Sequence, residues 1–421
     1  EAVNRAKSLL GSKHQTIYAG FDPTADSLHV GNLLVIIGLL HCQRGGHQPI
    51  ALLGGATGQI GDPSGRTSER TELGLDTIEN NLIHIESQIQ KIFTNHEEFF
   101  WKRFNEKSSL SPVKIVNNID WYKSYSFVDF IAKVGRNFRM GSMLSRSSVT
   151  SRLNSESGMS FTEFTYQIFQ AYDWLHLFKT YNCYFQLGGS DQMGNLMSGH
   201  ELISRVENKQ VYGLTLPLIT NEEGNKFGKS AGNAVWLDSE KTSPYSLYQF
   251  FVRIADSEVE KLLKLLTFLP LDEIKSIMSR HVKVPELREA QKKLAEQLTL
   301  LVHGEVGLQT AESVTKAIYS GDVNMLGNLS SKDISQTFNG APIREILPEP
   351  GISILDVAMK AKCFKHENDA ARIINAGGFY INQKRSTNLS EILVPGIHIL
   401  KNGISLLRVG KKNYYIVKWL M

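Results

Sequence analysis

Thr16-Ile-Tyr18-Ala-Gly-Phe21-Asp22-Pro23-Thr24-Ala-Asp-Ser-Leu-His29-Val-Gly31-Asn32 is the stretch from which the fold can be read. Its first six residues are a β-type run, Asp22-Pro23-Thr24 is a turn, and the apolar stretch Leu33 to Leu40 that follows reads as a helix. Further on, Ile50 to Leu53 runs into Gly54-Gly55, and Tyr184 to Leu187 into Gly188-Gly189. Strands that end in glycine loops and alternate with helices predict an α/β, doubly wound parallel sheet, with its ligand crevice at the carboxyl ends of the strands. From Ser243 to Tyr319 the pattern turns helical, with Leu287, Leu294, Leu298 and Leu301 spaced for one apolar face. The Gly/Pro-rich stretch Gly340 to Gly351 then precedes helix-like Leu355 to Ala361 and Asp369 to Asn375, the pair Gly377-Gly378 and short β-runs.

At 421 residues the chain exceeds what one hydrophobic core usually serves, so at least two domains are expected. No apolar run approaches the roughly 18 to 20 residues of a membrane helix. Cys42, Cys183 and Cys363 are scattered and odd in number, which argues against a disulfide framework or a zinc site and favours a reducing compartment. The net charge of +4 is uneven: residues 351–421 carry eleven Lys/Arg against four Asp/Glu, a net of +7, and the remainder carries −3. A basic C-terminal module on a near-neutral body points to an anionic partner, with a phosphate backbone the leading candidate, although a basic surface also serves solubility. The chain opens on Glu1 without an Arg/Ser-rich amphipathic leader, so any targeting peptide is expected to have been removed or left out.

The opening motif carries chemistry as well as architecture. Backbone amides at a helix N-terminus form an anion site, and Gly31 lets a nucleotide approach the chain closely. Thr24 and His29 can add donors toward a polyphosphate, although taken alone Gly31 also fits plain packing and His29 a satisfied surface histidine. Downstream, Lys226-Phe-Gly-Lys229-Ser230 follows the strand-like Leu214 to Ile219 and places two lysines around a glycine, able to close over phosphates. In a helix starting near Phe161, residues Tyr166, Gln170 and Asp173 stand at i, i+4 and i+7 and fall within a sector of about 60°. They share one face, either as a polar site or as a core network.

With both nucleotide motifs in this order, the chain resembles class I aminoacyl-tRNA synthetases. More closely it is similar to the tyrosyl-tRNA synthetase family, through Thr16 to Asn32, Gly54 to Arg70, Phe161 to Asp173, Leu187 to Asn195 and Lys226 to Ser230. The stretch His398 to Trp419 is most similar to the animal mitochondrial members, which implies the mitochondrial matrix. The resemblance implies a Rossmann-like catalytic domain with a connective insertion over 1–232, an α-helical anticodon-recognition domain over 233–339 and a small α+β RNA-binding domain over 351–421. That last module resembles one shared with a small-subunit ribosomal protein, through Leu355 to Ala361 and Ala370 to Asn382.

The resemblance assigns Tyr18 and Asp173 to the phenolic hydroxyl of tyrosine, and Asp62, Tyr166 and Gln170 to its ammonium group. It assigns Gln192 to the reacting carboxylate and Asp191 to the ribose. Asp22, Thr24, His29, Gly31, Asn32, Lys226, Lys229 and Ser230 would contact ATP or its leaving pyrophosphate, with Mg²⁺ carried by the nucleotide and no permanently bound cofactor or metal site. Thr24, His29, Gln192, Lys226 and Lys229 are the candidate catalytic set. Lys360, Lys365, Arg372, Lys384, Arg385, Lys411 and Lys412 are candidate contacts to tRNA phosphates. The implied partners are L-tyrosine, ATP, tRNA(Tyr) and a second copy of the chain through Phe127 to Met143; no membrane or DNA is implied. Asn32 stands where the family commonly has a second histidine, which keeps a donor but removes a potential cation. Three other readings fit less well. A tryptophanyl-tRNA synthetase fits the motifs but leaves Tyr18 and Asp173 without an indole hydroxyl to meet. A small-molecule adenylyltransferase leaves the helical and basic modules unexplained, and a catalytically silent RNA-binding protein leaves Lys226, Lys229, Asp62 and Asp173 without a task.

Overall fold

The computed structural model describes residues 2–66, 68–103, 109–156, 158–219, 227–230, 233–320, 326–329, 334, 341–410 and 413–420, with backbone alone at 229–230, 233 and 318–320. The chain forms two compact units, one of residues 1–238 with 254–302 and the other of 239–253 with 303–421.

The first unit is built on five strands: β1 (Thr16–Phe21), β2 (Gln48–Leu53), β3 (Lys114–Asn117), β4 (Cys183–Gly189) and β5 (Tyr212–Leu216). Their order is β3-β2-β1-β4-β5, and every pairing is parallel. The expected doubly wound α/β sheet is therefore present. The chain winds outward from β1 to β3 and restarts beside β1 at β4, so the crevice between β1 and β4 is the switch point at which such sheets take ligands. The central strands are apolar because helices cover both faces of such a sheet. Helix Val30–Arg44 buries Leu33, Leu34, Ile36, Ile37, Leu39 and Leu40. A Cβ at its Gly38 would stand 2.7 Å from Leu187 Cδ2, so the glycine sets how closely helix and sheet pack.

Helix Phe161–Tyr181 begins where the Ser160 side chain accepts the Glu163 N–H and ends at Asn182, whose φ of 52° is left-handed. Helices Asp256–Leu266 and Leu271–His281 also belong to this unit. Residues 289–320 are two helical runs broken at Gly304, where φ is 74°. Leu294, Leu298 and Leu301 form the expected buried face, but Leu287 does not join it. It stands in the short 3₁₀ turn Pro285–Leu287, 60% exposed, because Arg288 adopts a left-handed conformation and resets the helical phase.

The second unit carries a mixed sheet. After the two-residue strands β6 (Lys229–Ser230) and β7 (Asn233–Ala234) of the first unit come β8 (Ile343–Ile346), β9 (Phe379–Ile381), β10 (Lys384–Ser386), β11 (Ile404–Val409) and β12 (Asn413–Trp419), ordered β10-β9-β11-β12-β8. β8 runs parallel to β12 and the other pairs are antiparallel. Helices Ile354–Lys360 and Glu367–Asn375 supply Ile354, Val357, Ala358, Ala370 and Ile374 to a core with Phe379, Ile381, Leu407, Val417 and Trp419.

In the first turn of the helix that carries Asp173, Glu163 forms an ion pair with Arg152 at 2.7 Å, each side chain 1% exposed. Removing one member of such a pair leaves an uncompensated buried charge, at a cost of about 3–5 kcal/mol. Arg152→Ala is expected to lower the unfolding free energy of the protein by about that amount, read by urea denaturation. A loss under about 1 kcal/mol would mean that the pair is hydrated or dispensable.

Candidate functional site

The carboxyl ends of β1 and β4 place two groups of polar residues in the first unit. At the end of β1, His29 caps helix Val30–Arg44: its Nδ1 accepts the Gly31 N–H at 3.0 Å, and Asn32 Oδ1 accepts the His29 N–H at 3.0 Å. Because Nδ1 accepts, the imidazole proton lies on Nε2, which makes that nitrogen a donor. A Cβ on Gly31 would meet His29 Cε1 at 2.8 Å, so the cap requires glycine there. Asn32 thus supplies the acceptor of a capping box.

The lysine-bearing segment lies against this cap. Val30 N–H donates to Val235 O, Val235 N–H to Gly228 O, and Leu237 N–H to Leu28 O, at 2.8–2.9 Å. The rings of His29 and Trp236 meet edge-on at 6.3 Å. The two glycine-containing motifs are therefore adjacent. Lys229 and Ser230 form β6, whereas Lys226 lies outside the described residues, as do Lys411 and Lys412. Thr24 is exposed on the loop after β1.

The second group is a continuous hydrogen-bond chain. Asp22 accepts from Thr57 Oγ1 at 2.7 Å and from Tyr166 Oη at 2.8 Å. Asn118 donates one amide proton to Thr57 Oγ1 at 2.9 Å and the other to Asp173 Oδ2 at 3.0 Å, while its oxygen accepts the Ala56 N–H at 2.7 Å. Asp173 Oδ1 accepts from Trp121 Nε1 at 3.0 Å and lies 2.8 Å from Tyr122 Oη. Burial pushes the Asp173 carboxyl up to about 7 and that of Asp22 to about 6, against the pull of these donors.

Tyr18 is fully buried on β1, and its hydroxyl has no hydrogen-bond partner among the described residues. Burial, then the neighbouring Asp173, pushes its phenol well above the ordinary value. A buried hydroxyl left unmatched costs free energy, so it marks a place where a polar group is wanted. In the same unit, Asp62 Oδ2 accepts from Gln192 Nε2 at 2.7 Å, and its Oδ1 accepts from the Ser64 N–H at 3.0 Å and Asn195 Nδ2 at 3.3 Å. Gln170 is half-buried on the helix face of Tyr166 and Asp173. Asp191 stands in the 3₁₀ turn Ser190–Gln192, and a Cβ on Gly189 would come 2.6 Å from its Oδ1.

Asn118, Trp121 and Tyr122 were not found from sequence. They follow β3, a four-residue edge strand too short to show a pattern; the only signal is Asn117-Asn118-Ile-Asp-Trp121-Tyr122 after an apolar run. In the second unit, Lys360 pairs with Glu349 at 2.5 Å and Arg372 with Asp369 at 3.4 Å, while Lys365, Lys384 and Arg385 are exposed.

Comparison with known proteins agrees with this geometry. The family described as tRNA synthetases class I (W and Y) matches residues 11–320. The chain is 66% identical over 419 residues to a mitochondrial tyrosine–tRNA ligase of Drosophila melanogaster, covering 99% of this chain and 90% of that protein. It is 50% identical over 406 residues to the mitochondrial tyrosine–tRNA ligase of Homo sapiens, covering 96% and 84%. Among solved structures, a C-terminally truncated mitochondrial tyrosyl-tRNA synthetase of Aspergillus nidulans superposes with a TM-score of 0.66 at 34% identity, over 72% of this chain and 86% of that one. A parallel sheet with its polar site at the switch point, matched over nearly the whole length by such relatives, places this chain in the tyrosyl-tRNA synthetase family of class I aminoacyl-tRNA synthetases.

Proposed function

We propose that the chain's ligation of tyrosine to tRNA runs through a single adenylation centre made of the two residue groups at the ends of β1 and β4. The observation that carries this reading is the unmatched hydroxyl of Tyr18 next to Asp173, whose carboxylate is held by neighbouring donors. A tyrosine hydroxyl placed there accepts from Tyr18 and donates to Asp173. Phenylalanine leaves both groups unpaired, at about 1–3 kcal/mol each, a rule for which this family is itself the standing example.

In this reading Asp62, Tyr166 and Gln170 accept the three protons of the substrate ammonium group. Gln192, tied to Asp62, lies by the carboxylate, and Asp191 meets the ribose. Asp22, Thr24, Gly31 and Asn32 line the nucleotide loop, and His29, with its proton on Nε2, donates to the phosphates. Lys226, Lys229 and Ser230 close from the adjacent segment, and Mg²⁺ arrives with the nucleotide. The ionised carboxylate of tyrosine attacks the α-phosphorus, the bond to the β-phosphate oxygen breaks, and pyrophosphate leaves. The terminal adenosine hydroxyl of tRNA then attacks the adenylate carbonyl and AMP departs. No side-chain nucleophile takes part, so positioning and charge stabilisation do the catalysis.

The helical segment 233–339 is assigned to the anticodon and the basic segment 351–421 to tRNA phosphates, including those met by Lys360, Lys365, Arg372, Lys384, Arg385, Lys411 and Lys412. A homodimer is supported by exposed apolar side chains on one stretch: Phe127 at 74%, Val128 at 73% and Met140 at 59%. The names of the relatives support a mitochondrial setting, with the matrix as the compartment of translation.

The deciding assay is amino-acid-dependent exchange of labelled pyrophosphate into ATP. Exchange with tyrosine, and none with tryptophan or phenylalanine, is expected; equal exchange with tryptophan would overturn the pocket assignment. His29→Ala is expected to slow exchange by about 10²–10³-fold with little change in tyrosine KM, as for loss of one transition-state donor. Asp173 becomes a full acceptor as it loses its proton near pH 7. Tyrosine KM should therefore fall as pH rises through 7, and the dependence should vanish in Asp173→Asn. A flat wild-type profile would contradict that role.

Tyr122 Oη lies 2.8 Å from Asp173 Oδ1 and also 2.8 Å from the Phe169 carbonyl oxygen, and a phenol has one proton for two acceptors. Tyr122→Phe removes a donor to Asp173 and is expected to raise tyrosine KM about 5–10-fold, the worth of one ordinary hydrogen bond, since its proton is shared with the Phe169 carbonyl. An unchanged KM would assign Tyr122 to packing alone.

A further inference from the structure

The second unit's sheet carries a row of planar side chains. In register across four strands stand Arg385 on β10, Tyr380 on β9, Arg408 on β11 and Tyr414 on β12. The Arg408 guanidinium lies 3.9 Å from the centre of the Tyr380 ring and 5.9 Å from that of Tyr414. Arg385 lies 5.7 Å from the Tyr380 ring, and its Nη2 donates to Tyr380 Oη at 3.3 Å. At one strand spacing of about 4.8 Å, four strands make a row roughly 14 Å long. The alternate residues Phe379, Ile381 and Leu407 point to the opposite face and build the core with the two helices, while on the row's own face Tyr414, at one end, packs against the apolar cluster of Leu406, Ile416 and Val314. Arg385 is exposed, and Tyr380, Arg408 and Tyr414 are half-buried.

Two features separate this row from an ordinary cross-strand ladder. Neither Arg385 nor Arg408 has a carboxylate partner among the described residues, whereas Lys360, Arg372 and Lys418 each do. The Arg408 Nε is buried without a hydrogen-bond acceptor, and its guanidinium packs on the Tyr380 ring instead. The surrounding segment 351–421 carries a net +7, which selects a polyanion as the occupant. Phenol rings and guanidinium planes are the two side-chain surfaces on which unpaired bases stack.

We infer that the Arg385–Tyr380–Arg408–Tyr414 row is a stacking platform for unpaired nucleotides of RNA, in which Arg385 offers a base its guanidinium plane rather than a phosphate its charge, a contact distinct in kind from those of the lysines. It rests on the reading of this segment as RNA-binding and specifies how that segment holds its ligand. It predicts a binding component that survives salt, since stacking, unlike phosphate contact, releases no counterions.

The test uses the full chain with a short unstructured oligoadenylate and, in parallel, a blunt RNA duplex of equal charge, with affinity measured against salt. Arg385→Lys and Arg408→Lys keep the charge and remove the plane; Tyr380→Leu removes a ring. Arg385 is exposed, so its substitution leaves folding intact, and thermal melting checks the other two. Each change is expected to weaken oligoadenylate binding by at least about fivefold, the lower end for one lost base stack. The slope of log K against log salt should stay unchanged, and duplex binding should be little affected. Unchanged oligoadenylate affinity with a lowered melting temperature would make the row purely architectural. Equal losses for duplex and oligoadenylate would make it a phosphate contact. Either result overturns the proposal. Tyrosine-dependent pyrophosphate exchange, a reaction without tRNA, should persist in Arg408→Lys and Tyr380→Leu; its absence from the wild-type protein would refute the adenylation reading without touching the RNA result.

Discussion

The carboxylate of Asp173 sits in a place where charge is costly, under the parallel sheet and 2% exposed. Burial alone favours its protonated form, and the carboxyl is held within reach of ionisation only because Asn118, Trp121 and Tyr122 converge on it. Those three residues stand just past the edge strand β3, so the strand's register decides whether these donors reach the carboxylate. Asn118 has the strictest position. Both amide protons and its oxygen are used, and through Thr57 it joins Asp173 to Asp22 and thence to Tyr166. The Asp173 end and the loop after β1 are parts of one hydrogen-bonded body, and a shift at either end is felt at the other.

The His29 group depends on a different use of its polar atoms. His29 uses one ring nitrogen to cap its own helix, which fixes the proton on the other. Asn32 closes the capping box from three residues away, so the residue that departs from the common family pattern has a structural task that requires only an acceptor. Glycines are required where backbone and side chain crowd: a Cβ at Gly54 would fall 2.0 Å from Asp22 Oδ1, and one at Gly55 2.3 Å from Asn117 Oδ1.

Much of this was legible in the sequence because the central strands are long, apolar and followed by glycines. The runs Thr16 to Phe21, Ile50 to Leu53 and Tyr184 to Leu187 fall within β1, β2 and β4, and the helical spacing of Tyr166, Gln170 and Asp173 sets them on one helix. What escaped has physical reasons. β3 has four residues and an exposed edge, so no alternation marks it, and the donors to Asp173 come from a loop that tertiary structure alone brings to the helix. The end of the apolar leucine face at Leu287 was missed because a single left-handed residue, Arg288, is invisible to periodicity. The Arg/Tyr row escaped for the reverse reason: its four members lie far apart in sequence, and only strand register joins them.

The most direct measurement of the central claim is a crystal structure of the protein with L-tyrosine bound. The account predicts the phenolic oxygen of the ligand within hydrogen-bond distance of both Tyr18 Oη and Asp173, with Asn118 and Trp121 still on the carboxylate. A ligand hydroxyl that meets neither group, with Tyr18 still unmatched, would contradict it.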